Sequence, residues 1–279
     1  MEKKTDLKAK IWLALIMVFF YAPIAYVVFF SFNRSKSLTR FTGFSLRWYE
    51  TMFHNRSILE AIGYTVLCAV LATAISTLVG TITAISLSKN KKVIREAVTQ
   101  VNNLPMLNPE IVTAIGLMLF YTSLRIKTGF MTMLLAHIAF CIPYVILSVM
   151  PKIRSLDPNL ADAAMDLGAT PWQALIKVIV PEIMPGVFSG ALIAFTMSFD
   201  DFIISYFVTG RGVKNLSIMV YTMSKRVNPT INAISSLIVG VITLVLIIIN
   251  LVPFIRDRMI ARKAAAEAAG KAAADGKKA

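Results

Sequence analysis

Four stretches of this chain carry no Asp, Glu, Lys or Arg: Ile11 to Asn33, Ala61 to Ser88, Thr128 to Pro151 and Val227 to Ile255. Each exceeds the roughly 20 apolar residues that cross a hydrocarbon core. A backbone in lipid must satisfy its own polar groups, so each stretch predicts a spanning helix. Two further stretches are interrupted only by acids: Ala97 to Leu124 by Glu110, and Ile183 to Gly210 by Asp200 and Asp201. The expectation is an all-α membrane protein with six transmembrane helices. With 57% hydrophobic residues and a mean hydropathy of +0.69, the chain is too apolar to hide within a water-soluble domain.

Six spans put both termini on one side of the bilayer. Eighteen of the 29 Lys and Arg residues fall on that side, within 1–10, Lys89 to Arg95, Lys152 to Lys177 and beyond Ile255. The positive-inside rule then places both termini in the cytoplasm, although Arg34, Lys36, Arg40, Arg47 and Arg56 narrow the margin. The first apolar run lacks a small-x-small cleavage site and reads as a retained span rather than a signal peptide. The net charge of +14 lies mainly beside spans, where anionic headgroups attract each basic residue by about 1 kcal/mol. The lipid bilayer, not nucleic acid, is the partner this implies.

The resulting division is a cytoplasmic N-terminus over 1–10, a transmembrane domain over 11–260 with a connecting loop at 152–182, and a low-complexity tail over 261–279. The tail has no apolar stripe to dock. In the external stretch after the first span, Trp48, Tyr49 and Phe53 suit a segment lying at headgroup level. Cys68 and Cys141 fall in different apolar spans and read as packing residues, not as a disulfide or zinc site. His137, inside a span, reads as a hydrogen-bonded packing residue, and no metal motif surrounds it or His54.

The loop at 152–182 is specified by its own local chemistry. Asp157 as N-cap and Pro158 at the first helical position predict a helix start, and Gly168 predicts its left-handed end. Leu160, Ala163, Ala164 and Leu167 recur at i, i+3, i+4 and i+7 and predict one small, apolar face. Thr170, Pro171 and Gln173 form a capping box for a second helix, with Trp172, Leu175, Ile176 and Ile179 on one face and Pro181 as its stop. By periodicity alone, the pair fits equally well as amphipathic helices lying on the membrane.

The run Asp162-Ala163-Ala164-Met165-Asp166-Leu167-Gly168-Ala169, followed by Val178-Ile179-Val180-Pro181, resembles the "EAA" loop of ATP-binding-cassette importer permeases. That motif reads Glu-Ala-Ala, three residues, Gly, then an apolar-x-apolar-Pro ending; here Asp162 stands for the usual Glu. Further stretches are similar to the second permease of spermidine/putrescine importers: Gly43-Phe44-Ser45 running into Trp48-Tyr49, Asn108-Pro109-Glu110-Ile111-Val112, His137 to Pro143, and Phe195 to Asp201 followed by Phe207-Val208-Thr209-Gly210. The resemblance covers nearly the whole chain. It implies a MetI-like type I importer permease fold in the bacterial inner membrane. In that fold Asp162, Ala163, Ala164, Asp166, Leu167, Gly168 and Ala169 form a cytoplasmic coupling helix. It also implies two ATP-binding subunits that carry the ATP and Mg, a second homologous permease and an extracytoplasmic substrate-binding protein. The chain itself is expected to hold no cofactor and to be no enzyme, and its sequence contains no phosphate-binding Gly-x-x-x-x-Gly-Lys loop.

An intramembrane charge costs about 2.5–3.5 kcal/mol on insertion scales, so such acids usually face a bundle interior or a wet cavity. Asp200, Asp201 and Glu110 are therefore candidate pathway residues for an organic polycation, with Phe199 and Tyr206 offering ring faces to an ammonium. Asp200 would lie about 25 Å along the fifth span, near its outer end, with Glu110 toward the cytoplasmic end. Consecutive helical residues point about 100° apart, so the two aspartates cannot face one line of travel. Equally, the Asp pair fits a break in the helix, Glu110 a capped start after Pro109, and the rings ordinary packing. The alternative function is an ATPase-independent secondary transporter of an organic cation, although no internal repeat supports it. A membrane enzyme would need a nucleophile and base, or metal ligands, that the chain does not assemble.

Overall fold

The computed structural model describes residues 7–210, 212–225, 228–244 and 247. The expected tail over 261–279, most of the N-terminus over 1–10 and the far end of the sixth apolar stretch lie outside these residues. In chain order the helices are α1 (Leu7–Ser31), α2 (Arg47–His54), α3 (Arg56–Ser88), α4 (Lys92–Leu107), α5 (Glu110–Ser123), α6 (Phe130–Arg154), α7 (Leu160–Asp166) and α8 (Pro171–Ala174). They continue with α9 (Val180–Asp200), α10 (Ile203–Val208), α11 (Leu216–Ser224) and α12 (Thr230–Leu244). Among the described residues there is no strand, only an isolated bridge between Asn33 and Phe44.

Four helices are long and apolar enough to cross a membrane: α1, α3, α6 and the continuous run Pro171–Asp200. The third expected span qualifies only as the pair α4 and α5, bent by 101°. Pro109 marks the break. It lacks an N–H, and it holds Asn108 extended, at φ −78° and ψ 141°, so the helix cannot run through.

The described residues of 55–225 form one compact unit, and those of 7–54 with those of 228–247 form another. In the first, α3, α6 and α9 pack on one another around α6, whose Met133, Ala136, Cys141, Val145 and Val149 are fully buried. Lipid supplies no hydrophobic drive between helices, so close van der Waals approach must hold them together. The face α3 turns inward is correspondingly small: Ala61, Thr65, Ala69, Ala72, Ser76, Gly80 and Ala84. A Cβ on Gly80 would lie 2.8 Å from the Val145 side chain, and one on Gly190 would lie 3.2 Å from the Val145 Cα. Gly80→Leu is therefore expected to cost about 1–3 kcal/mol by overpacking. The unfolding midpoint of the solubilised protein should fall, while Gly63→Ala, where a Cβ meets nothing within 4 Å, should leave it unchanged.

The second unit is organised by a buried polar residue. Asn33 donates from Nδ2 to the carbonyls of Ser37 (2.8 Å) and Arg40 (2.9 Å), and its Oδ1 accepts from the Thr42 amide (2.9 Å). Trp48 has a structural role the sequence did not reveal. Its ring is buried, with Nε1 donating to the Asn33 carbonyl at 2.7 Å, so it locks this loop. Met52, four residues on, is buried beside it on the inner face of α2, while Phe53 stays exposed.

Candidate functional site

The connecting loop forms two helical pieces, with two differences from the sequence reading. Asp157 caps a turn, accepting the Asn159 amide at 2.9 Å, and α7 starts at Leu160 rather than Pro158. Pro181 does not stop the second helix. Instead Leu175–Ile179 widen into a π-helical turn, closed by the Val180 amide on the Leu175 carbonyl, and Pro181 follows in the first turn of α9 where its missing N–H is tolerated. The Thr170–Gln173 capping box forms as expected, with bonds of 3.3 and 3.0 Å.

Gly168 takes φ +87°, which favours glycine. Its amide donates to Met165 O at 2.9 Å, and the Ala169 amide donates to Ala164 O at 3.1 Å, the paired bonds of a Schellman end. Alanine and leucine do not share one face here. Leu160, Ala161 and Ala164 turn inward, whereas Asp162, Ala163, Asp166 and Leu167 are exposed, Leu167 to 90%. Leu167 lies one residue past the end of α7, at its C-cap with φ −83° and ψ 11°, so a single helix does not carry the i, i+7 pair. Trp172, 68% exposed, is a further large apolar side chain in solvent on this loop.

The aspartate pair sits where the fifth apolar stretch breaks. α9 ends at Asp200, Asp201 turns extended (φ −58°, ψ 127°), and α10 begins two residues later. Asp201 is committed to structure. Its Oδ1 accepts the Ile204 amide at 3.2 Å, its Oδ2 accepts the Ser205 amide at 2.7 Å, and His137 Nε2 lies 3.3 Å from Oδ2. His137 Nδ1 meets Ser198 Oγ at 2.7 Å and Nε2 meets Ser205 Oγ at 2.9 Å. The cluster ties α6, α9 and α10 together, and the carboxylate faces the amide-rich start of α10, where negative charge is favourable. His137 is thus the hydrogen-bonded residue expected, but its link to Asp201 was not read from the sequence. The signal was present: Ser198, Asp201 and Ser205 recur at i, i+3 and i+7 opposite a lone polar residue of another span.

Asp200 differs in every respect: its side chain is exposed and only its backbone carbonyl is engaged, by Ser217 Oγ at 3.3 Å. Nearby, Phe202 lies with its ring centroid 4.7 Å from Tyr221 and 5.4 Å from Tyr206, and Lys225 Nζ stands 4.9 Å over the Tyr221 ring. Tyr206 is half-exposed in this aromatic group. Phe199 instead stacks on Phe195 at 5.7 Å, as a helix neighbour does. Glu110 opens α5 and is exposed, sharing a narrow pocket with Phe140, Tyr144, Met197 and Ile204. Met197 and Ile204 flank the Asp break, so Glu110 lies near the depth of that break rather than toward the coupling loop. Among the described residues no group of His, Cys, Asp or Glu is arranged to hold a metal.

The profile of the family described as "Binding-protein-dependent transport system inner membrane component" matches residues 76–265. The spermidine/putrescine transport system permease protein PotC of Escherichia coli (strain K12) is 34% identical over 248 residues, covering 88% of this chain and 91% of that protein. The putrescine transport system permease protein PotI of the same strain is 35% identical over 241 residues, 84% of this chain and 86% of that protein. Among solved structures, a bacterial ABC transporter involved in the import of the acidic polysaccharide alginate superposes with a TM-score of 0.69. That match has 16% identity and covers 90% of this chain and 98% of that one, so the likeness is one of fold.

Proposed function

Because this chain belongs to the family of inner-membrane components of binding-protein-dependent transport systems, we propose that it forms half of the translocation pathway of an ATP-driven polyamine importer. Asp200 is its cation-facing acid. One observation carries the cargo assignment: of the two adjacent acids at the break, Asp201 is saturated by two amides and His137, while the Asp200 side chain is exposed and uncommitted. An uncommitted carboxylate two residues from Phe202, which packs with Tyr206 and Tyr221, suits an organic ammonium, since acids and ring faces both attract a cation that has shed part of its water. The relatives named for spermidine and putrescine support the same class. Glu110 offers a second acid close by.

In this reading six spans put both termini in the cytoplasm, and the exposed face of α7, Asp162, Ala163, Asp166 and Leu167, docks on a separate ATPase. Two such ATPases carry ATP and Mg, a second homologous permease completes the pathway, and an extracytoplasmic binding protein delivers cargo. Closure of the ATPases then pushes α7 and α8, and the continuous run from α8 into α9 carries that push toward Asp200. Uptake of labelled spermidine by cells carrying the full importer tests the assignment. Asp200→Asn is expected to lower uptake about tenfold or more, the effect of about 1.4 kcal/mol of lost interaction, at unchanged membrane level and ATPase association. Unimpaired uptake would remove Asp200 from the pathway.

A further inference from the structure

We propose that the cavity behind the coupling loop is a binding site for the headgroup of an anionic phospholipid from the leaflet on that side. The cavity, of about 390 Å³, is bounded by the ends of α3 and α6 on one side and by Pro158, Ala161 and Pro171 of the loop on the other. Three cations line it, Lys89, Arg95 and Arg154, against one acid, Asp157. Asp157 spends one oxygen on the Asn159 amide, and among the described residues none of the three cations forms an ion pair. Arg95 Nε is moreover buried with no hydrogen-bond partner among those residues. Three like charges around one cavity repel, and a buried donor without an acceptor is costly, so the site is incomplete without an anion.

Depth and lining identify which anion. Lys89 follows directly on the apolar run that ends at Ser88, and Arg154 closes α6, so the cations stand at headgroup level. Apart from Ser88, the rest of the wall is apolar, with Ile85, Met150, Ile153, Leu156, Leu175 and Ile179 among its residues. A phosphate for the cations joined to glycerol and acyl carbons for the apolar wall is the chemistry of a phospholipid, and basic pockets between spans suit acidic headgroups. Because the loop forms one wall, an occupant braces α7 and α8 against the spans. Coupling between ATP hydrolysis and transport becomes lipid-dependent, whatever the cargo.

The test uses the complete importer in nanodiscs of phosphatidylcholine with or without phosphatidylglycerol. The readouts are cargo-stimulated ATP hydrolysis and the phosphatidylglycerol retained on purification, measured by mass spectrometry. Wild type should retain the lipid and be stimulated by it. Arg95→Gln should lose about fivefold in retention and become indifferent to the lipid, and Arg95→Lys should restore both. Arg154→Gln, at an exposed position, supplies the same comparison if Arg95→Gln does not fold. Equal retention by wild type and the Gln variants would overturn the proposal. So would full stimulation in phosphatidylcholine alone, or stimulation there by inorganic phosphate, which would mark a free-anion site instead.

Discussion

Replacing Gly168 by proline is expected to reduce ATP-driven uptake to background while the chain still inserts into the membrane. The glycine sits at φ +87°, and its amide closes α7 on Met165 O at 2.9 Å. Proline is locked near φ −65° and has no N–H, so the substitution reverses the turn and deletes the bond, at about 3 kcal/mol or more. The loss falls on the segment joining α7 to α8, so the exposed Asp162 and Leu167 lose the placement that the proposed ATPase docking requires. The spans are untouched, because α7 packs no residue into the core of α3, α6 and α9. The measurement is co-purification of the ATPase with the variant at equal membrane level. Normal co-purification would remove α7 from the coupling role. Gly168→Ala keeps the amide and pays only the left-handed strain, about 1–3 kcal/mol, so it should fall between the two.

Asp201→Ala is expected to be the most damaging single change to the fold itself. It leaves His137 and the amides of Ile204 and Ser205 facing an empty position in a buried cluster that joins three helices. Each buried donor left without its acceptor costs about 1–3 kcal/mol, and the amides of Ile204 and Ser205 both lose theirs, a large fraction of a domain's margin. The amount of monodisperse protein extracted in mild detergent should collapse, whereas Asp200→Ala should leave it at the wild-type level. The opposite result, with Asp200→Ala unfolding and Asp201→Ala well behaved but inactive, would exchange the roles assigned to the two acids.

What could be read from the sequence followed from how local the determining physics was. Charge-free runs marked α1, α3 and α6 because desolvation acts on each residue where it stands. The Thr170–Gln173 box and the Gly168 turn were legible because their partners lie within a few residues. Pro181 misled as a stop because a π-helical turn upstream absorbs the missing N–H, a choice made by the packing of the whole run into α9. Pro109 marked an irregular span, but its 101° bend depends on how α4 and α5 are held. The division of labour between Asp200 and Asp201 was not legible either. It depends on His137, far away in the chain, and on a helix break that rotates one acid inward and leaves its neighbour out.

The most direct test is transport by the complete importer in liposomes, with labelled spermidine loaded on its binding protein outside and the driving force varied. Accumulation should require ATP inside together with the partner ATPase, and should vanish without either even under an imposed proton gradient. Spermidine accumulation driven by that gradient in the absence of the ATPase would contradict the importer reading and make the chain a secondary transporter.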